Sequence, residues 1–149
     1  MKLDLMGAEP TLRPDLEEII SYAHKGGHLT ALHTNGLRFS EPGYLDKLVN
    51  AGLDEVHLQM DGFSGRFDMA LRGRSMDKPR EKALAELKRL DVATDLVAVI
   101  MRDGNEDEMG DILDYAAKNS FVKEIFTSAC VCWAGRRRSL KRRASCRTN

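Results

Sequence analysis

The sequence predicts an α/β protein built on a parallel β-sheet. Short apolar runs alternate with amphipathic helical segments, and the runs recur roughly every 25 to 35 residues, a pattern typical of βαβ units. One run, residues 96–101, is continuously apolar, as expected for a parallel strand covered on both faces. Periodicity alone leaves open whether the sheet belongs to a barrel or to an open, doubly wound fold.

Five strands are predicted, at residues 3–6, 29–34, 55–60, 96–101 and 122–126. The helices between them carry apolar residues at i, i+3, i+4 and i+7. The first helix follows Pro14 and stops at Gly26-Gly27, and the second covers residues 42–51.

A long connection, residues 61–78, precedes the third helix, whose buried face is expected to be Ala83, Leu84 and Leu87. Asn105 is predicted to cap the fourth helix. The buried stripe of that helix is predicted to be Met109, Ile112, Leu113 and Ala116.

Length and composition bound the class of protein. The chain has 149 residues, of which 42% are hydrophobic, and this suits one soluble globular domain. Apolar runs stay far below the ~20 residues of a membrane-spanning helix, and the sequence does not open on a signal peptide. A cytoplasmic protein that does not engage a membrane is therefore expected.

The net charge of zero is the sum of an acidic part and a basic part of the chain. All 23 acidic residues lie at or before Glu124, while seven of the 23 basic residues lie at or after Arg136. We therefore divide the chain into a body, residues 1–127, and a basic tail, residues 128–149, which is expected to be disordered and is a candidate for out-of-frame translation. A tail of this kind also fits a nucleic-acid-binding arm, but Trp133 is its only aromatic residue, so nucleic acid is not the expected partner.

The chain has three cysteines, Cys130, Cys132 and Cys146, and all belong to the tail. An odd number without a signal peptide argues against a disulfide framework. An accidental grouping of these cysteines is favoured over a small metal site, so no metal ligands are assigned.

The ends of the predicted strands are polar. Their sequences are Gly7-Ala8-Glu9-Pro10, His33-Thr34-Asn35-Gly36, Gln59-Met60-Asp61-Gly62 and Arg102-Asp103-Gly104-Asn105. On the third strand His57, Gln59 and Asp61 share one face, and three such side chains need polar partners. A single polar loop is commonly just solvated, but four in succession favour a ligand site at the strand tips.

The order of these motifs resembles the radical SAM superfamily. Gly7-Ala8-Glu9-Pro10 resembles the family's GGEP segment, Thr34-Asn35-Gly36 its TNG turn, and residues 56–62 its fourth-strand segment. Arg72-Gly73 and residues 104–108 resemble the RG and G-x-N-x-x-E regions that follow. The amino-acid sequence of these motifs is most similar to that of the subgroup related to methanopterin methylases and tetraether lipid synthases.

The resemblance implies a partial (β/α) barrel of about five parallel strands, open because the first strand and the later strands are missing. It also implies that S-adenosylmethionine binds at the barrel top. Glu9 and the backbone of Gly7 and Ala8 would meet its methionyl ammonium group. Thr34 and Gln59 would contact its ribose or carboxylate. The implied cofactor-binding set is completed by Asn35, Asp61 and Asn105, of which Asn105 would orient the nucleoside.

Ala8 stands where the family usually has a second glycine. If that position requires a positive φ, alanine would be strained there, whereas a requirement for a small side chain would make the change mild.

The family's [4Fe–4S] cluster is held by C-x3-C-x2-C, and this motif does not occur in the sequence. The expectation is therefore a radical SAM core fragment that is inactive alone, with no catalytic residue assigned. Its partners would be the small-molecule cofactor and an unknown substrate. Two alternatives remain: a non-catalytic binding module whose basic tail engages nucleic acid or an acidic partner, and an unrelated α/β-barrel enzyme with convergent loops.

Overall fold

The computed structural model describes residues 1–73, 75–102 and 104–129. One sheet contains five strands: β1 (Lys2–Leu5), β2 (Leu29–Thr34), β3 (Glu55–Gln59), β4 (Ala93–Ile100) and β5 (Val122–Ala129). The helices are α1 (Leu16–Lys25), α2 (Tyr44–Ala51), α3 (Arg66–Arg72), α4 (Asp77–Arg89) and α5 (Met109–Lys118). Within the described ranges, no helix is both long enough and apolar enough to cross a membrane.

The strands lie in the order β1-β2-β3-β4-β5, and every neighbouring pair is parallel. One core cluster joins residues of α1, α2, α4 and α5 to the sheet, so these helices pack on the same face. A doubly wound fold would require a reversal of strand order, which this sheet does not have. The strand number, the parallel pairing and the helices on one side are thus confirmed, as an open α/β sheet.

The two faces of the sheet differ in chemistry because side chains alternate along each strand. Leu32, Val56, Leu58 and Leu96 face the helices and form one core cluster. The helices contribute to the same cluster with Ile20, Leu45, Leu48, Leu84, Leu87 and Ile112. The opposite face, which we call the polar face, carries residues of the other parity, among them His33, His57 and Asp95.

The segment predicted as one long connection, residues 61–78, is more regular than expected. It contains all of α3 and the first residues of α4. Gly65 and Gly73 flank α3 with φ of 67° and 70°. Because these two glycines end the helix on either side, α3 has only about two turns. Two turns are too few for an apolar stripe to be recognised in the sequence.

Two local predictions for the fourth predicted helix, α5 in the structure, were wrong. Asn105 precedes a short 3₁₀ turn (Glu106–Glu108), but its side chain makes no capping hydrogen bond because it is used elsewhere. Leu113, placed on the buried stripe, is 51% exposed, while Ile112 is fully buried.

Strand β5 continues to Ala129 and so passes the predicted body boundary at residue 127. Residues 130–149 lie outside the described residues, and with them the three cysteines and Trp133. The domain division therefore stays a prediction.

A buried ion pair joins α3 to α4. The Arg80 guanidinium makes two hydrogen bonds with the Asp68 carboxylate, one of them from NH2 at 3.0 Å, and its Nε donates to the Gln59 carbonyl at 3.1 Å. Both side chains are 2% exposed. Arg80 lies on the same helical stripe as Ala83, Leu84 and Leu87, so it is the charged member of an otherwise apolar face.

Arg80→Met is expected to lower the free energy of unfolding by about 3–5 kcal/mol, because it removes the bidentate partner of a buried carboxylate. The double variant Asp68→Leu/Arg80→Met should recover much of that loss. Arg89→Met is the matched control: its pairs with Asp46 and Glu86 are exposed and screened by solvent, so a far smaller loss is expected. Equal losses for Arg80→Met and Arg89→Met in urea unfolding would contradict the assignment.

Glu108 anchors the loop after β3. Its Oε2 accepts hydrogen bonds from the backbone N–H of Phe63 at 2.6 Å and of Ser64 at 2.9 Å, and its Oε1 accepts one from the Ser64 hydroxyl. Gly62 makes this approach possible, since a Cβ there would lie 2.3 Å from Glu108 Oε2. Burial opposes ionisation of Glu108, but these hydrogen bonds outweigh it and lower the pKa of the carboxyl.

Glu108→Gln should destabilise the protein by about 1–3 kcal/mol at neutral pH, because the variant loses charge-assisted hydrogen bonds. A lowered folded-state pKa stabilises the fold above the group's ordinary pKa of 4.5, and this stabilisation is lost as pH falls through the folded-state value. The difference between parent and variant should therefore shrink below about pH 4.5. Thermal melting across pH would measure it. Asp107→Asn, whose partner Arg66 is exposed, serves as the neighbouring control.

Candidate functional site

A cavity of about 250 Å³ lies at the carboxyl ends of the strands and extends onto the polar face. Six of the eight predicted cofactor-binding residues line it: Gly7, Ala8, Glu9, Thr34, Asn35 and Gln59. His33, His57, Val97 and Val99 complete the lining. Parallel pairing brings these residues together, because it places the carboxyl ends of successive strands at one edge.

Glu9 is the centre of the strand-end loops. Its Oε1 accepts hydrogen bonds from the Thr11 backbone at 3.1 Å, the Thr11 hydroxyl at 2.6 Å and the Thr34 hydroxyl at 2.7 Å. Its Oε2 accepts from the Asn35 N–H at 2.9 Å. Within the described residues, Oε2 accepts this single hydrogen bond, and a carboxylate oxygen has two lone pairs, so Oε2 keeps room for one more donor.

The turn after β2 is built around Thr34 and Asn35. The Thr34 hydroxyl accepts from the Gly36 N–H at 3.1 Å while donating to Glu9, and Asn35 Oδ1 accepts from the Leu37 N–H at 2.9 Å. Gly36 has a φ of 74°, and a Cβ there would lie 2.5 Å from Leu58 Cδ1. Thr34 therefore holds Glu9 in place, and its contact with a ligand stays a prediction.

The loop after β1 is open at Gly7 and unstrained at Ala8. Gly7 has a φ of 151°, and a Cβ built there would meet no atom within 4 Å, so its backbone borders open space. Among the described residues, Asp91 is the one non-glycine residue with a positive φ. Ala8 consequently adopts ordinary backbone geometry, and its replacement of glycine is mild.

Gln59 and Asp61 differ in their access to the cavity. Gln59 is half-buried and its Nε2 donates to Asp61 Oδ2 at 2.8 Å. Asp61 is fully buried, with Oδ1 accepting from the Val99 N–H at 2.8 Å and Arg80 NH2 3.7 Å from Oδ2. Asp61 therefore orients Gln59 from behind the cavity wall.

Asn105 is also buried behind the cavity. Its Nδ2 donates to the carbonyls of Asp61 at 2.6 Å and Val99 at 2.8 Å, and its Oδ1 accepts from the Met101 N–H at 2.8 Å. Both of its amide hydrogens are thus used by the backbone. Asn105 therefore links the end of β4 to the end of β3 by hydrogen bonds. Its contact with a nucleoside stays a prediction.

A row of titratable side chains on the polar face was not identified from the sequence as a unit. The register places His33 beside His57 and His57 beside Asp95. The two imidazole rings stack with centroids 4.2 Å apart. Burial and the neighbouring His57 lower the pKa of His33. Each of these residues occupies an alternate position on its own strand. The sequence shows that they are neighbours only when the register between the strands is known.

Acidic residues surround these histidines. His57 Nε2 lies 2.9 Å from Glu55 Oε1, His57 Nδ1 lies 3.5 Å from Asp95 Oδ2, and His33 Nε2 lies 3.7 Å from Asp4 Oδ1. Burial, followed by the hydrogen bond and the charge of Glu55, raises the pKa of Asp95 to about 6.

A separate cavity of about 550 Å³ lies on the helical side of the sheet. Phe63, Arg80, Leu84 and Tyr115 line it, together with charged residues of α4. None of the predicted cofactor-binding residues reaches this cavity, so we place the candidate site at the strand ends.

Comparison with known proteins identifies the family of the chain. Residues 2–116 match the model of the radical SAM superfamily. A 7,8-dihydro-6-hydroxymethylpterin dimethyltransferase of Methanocaldococcus jannaschii is 35% identical over 136 residues, which cover 90% of this chain and 27% of that protein. A PqqA peptide cyclase of Ruegeria pomeroyi is 34% identical over 108 residues, covering 72% of this chain and 29% of that protein.

A solved structure described as native anSMEcpe with bound AdoMet and Kp18Cys peptide shares the fold. Its TM-score is 0.68 at 20% identity, over 87% of this chain and 38% of that chain. The chain thus spans less than a third of the length of the two curated relatives. The presence of a pterin dimethyltransferase among them agrees with the predicted subgroup, and the family match extends over most of the described residues. The chain belongs to the radical SAM superfamily.

Proposed function

We propose that this chain forms the S-adenosylmethionine-binding section of a cytoplasmic radical SAM enzyme. The observation that carries the proposal is the Glu9 carboxylate: it is held by four hydrogen bonds at the mouth of the strand-end cavity, with acceptor capacity left on Oε2. An ammonium group fits that position, because a charge-assisted hydrogen bond to a carboxylate is among the stronger polar contacts.

The remaining cavity residues support the same ligand. The open backbone at Gly7 lets a ligand approach closely, and the Gln59 side chain is oriented by Asp61. Gln59 and the Asn35 turn offer hydrogen-bonding groups suited to a ribose or a carboxylate. S-adenosylmethionine, when bound in such enzymes, supplies the carbon radical that abstracts hydrogen from a substrate.

The iron–sulfur cluster of the family does not fit the described residues. None of them is a cysteine, and the spacing of Cys130, Cys132 and Cys146 differs from C-x3-C-x2-C. We therefore assign no radical step to these residues and propose that the chain binds the cofactor without cleaving it. The proposal predicts no loss of S-adenosylmethionine when the chain is incubated with it and dithionite.

The relatives act on different molecules, according to their names: one on a pterin and one on a peptide. The chain aligns with only 27% of the first protein and 29% of the second. We propose that this section binds the cofactor and that a small-molecule substrate is selected mainly by other parts of the enzyme.

Glu9→Gln is expected to weaken S-adenosylmethionine binding roughly 10- to 100-fold, because a charged hydrogen-bond partner contributes about 1.5–3 kcal/mol. Binding of 5′-methylthioadenosine, which lacks the ammonium group, should change much less. Isothermal titration calorimetry of both ligands measures the difference. Glu41→Gln is the control, because that exposed carboxylate pairs with Arg38 away from the cavity.

Equal weakening of both ligands would show that Glu9 acts only through the loop it anchors. Failure of the parent chain to bind S-adenosylmethionine at millimolar concentration would overturn the proposed function itself.

A further inference from the structure

We propose that Glu55, His57 and Asp95 bind a divalent metal ion of the zinc type on the polar face of the sheet. One donor atom from each of the three residues lies within 4.8 Å of the other two. The site is distinct from the strand-end loops: Glu55 begins β3 and Asp95 lies near the start of β4, toward the amino ends of the strands.

The first argument is a buried nitrogen without a hydrogen bond. The His57 side chain is 9% exposed, and within the described residues its Nε2 has no hydrogen-bond partner of acceptable geometry. Glu55 Oε1 is nevertheless 2.9 Å away from that nitrogen. A buried polar atom without a partner is costly, and a metal ion bound to His57 Nε2 would satisfy it.

The second argument is the distance between the donors. Zinc bonds to imidazole nitrogen and carboxylate oxygen are about 2.0–2.2 Å long, so neighbouring donors in a tetrahedral site lie about 3.3 Å apart. The 2.9 Å between His57 Nε2 and Glu55 Oε1 is close to this value. One Asp95 carboxylate oxygen lies within 4.8 Å of the donor atoms of the other two residues.

The third argument is the local charge. Asp4 and Glu124 add their carboxylates to those of Glu55 and Asp95, and the charge of Glu124 acts on Asp95. Among the described residues, Lys2 is the lysine that contacts this group: its Nζ donates to Glu55 Oε1 at 3.0 Å and lies 2.9 Å from Oε2. Imidazole and carboxylate ligands together suit zinc and its neighbours in the first transition row.

His33 and Asp4 form a second triplet with His57, also with donor atoms within 4.8 Å of one another. Both are more exposed than the Glu55–His57–Asp95 triplet, at 31% and 46% for the side chains. We therefore assign the ligands to Glu55, His57 and Asp95, the less exposed triplet, with His33 stacked against His57 as a positioning residue.

The test uses the full chain with Cys130, Cys132 and Cys146 replaced by serine, so that thiolates cannot bind the probe. Zn²⁺ is titrated by calorimetry, and Co²⁺ is titrated by its visible absorption, which reports coordination number. One equivalent of either metal should bind, and the melting temperature should rise with metal concentration.

His57→Gln and Asp95→Asn should each weaken binding at least tenfold. His24→Gln/His28→Gln, which removes the two histidines other than His33 and His57, should leave it unchanged. Lys2→Met should strengthen binding, because it removes a cation that competes for Glu55. This gain cannot arise from misfolding, so it keeps the proposal testable even if His57→Gln is unstable.

No stoichiometric binding by the parent chain, or binding that survives His57→Gln but is lost in His24→Gln/His28→Gln, would overturn the proposal. The probes are the metals alone, so a negative result here leaves the S-adenosylmethionine proposal standing, and the reverse also holds.

Discussion

The carboxyl ends of parallel strands impose the constraint on which the rest of this structure depends. Where a strand ends and the chain turns away, backbone N–H and C=O groups lose their ladder partners and must find others. Here buried side chains supply them: Glu9 holds the turn after β2, Glu108 holds the loop after β3, and Asn105 ties β3 to β4. The polar motifs at the strand ends are therefore first of all structural, and they preorganise the loops that border the cavity.

This arrangement changes how the family motifs are understood. The resemblance implies ligand contacts for Thr34, Asp61 and Asn105. In the structure, the side chain of each makes hydrogen bonds within the protein. Glu9 serves both purposes, because a carboxylate has enough acceptor positions to hold a loop and still meet an ammonium group. Such residues hold the loops that border the cavity, and their contacts with a ligand stay predictions.

The sheet also separates two chemical environments. Its helix-facing side is apolar and closes a single core, while its other side carries histidines, carboxylates and a lysine close together. Charged groups crowded on a partly buried surface are expensive unless they are paired or bind an ion. On the helical side, the charges of Arg80 and Asp68 are paired with each other. On the polar face, the carboxylates and His57 would bind the proposed metal ion.

The sequence by itself determined the strand–helix alternation, the parallel sheet, the family and the strand-end loops, because these are written in local periodicity and in short contiguous motifs. It did not reveal α3, which has only two turns between two glycines, or the exposure of Leu113. Nor could it pair Glu108 with Phe63, Arg80 with Asp68, or His57 with Glu55 and Asp95. Those contacts depend on strand register and on which helix crosses which strand, and such long-range geometry is fixed only when the whole chain packs.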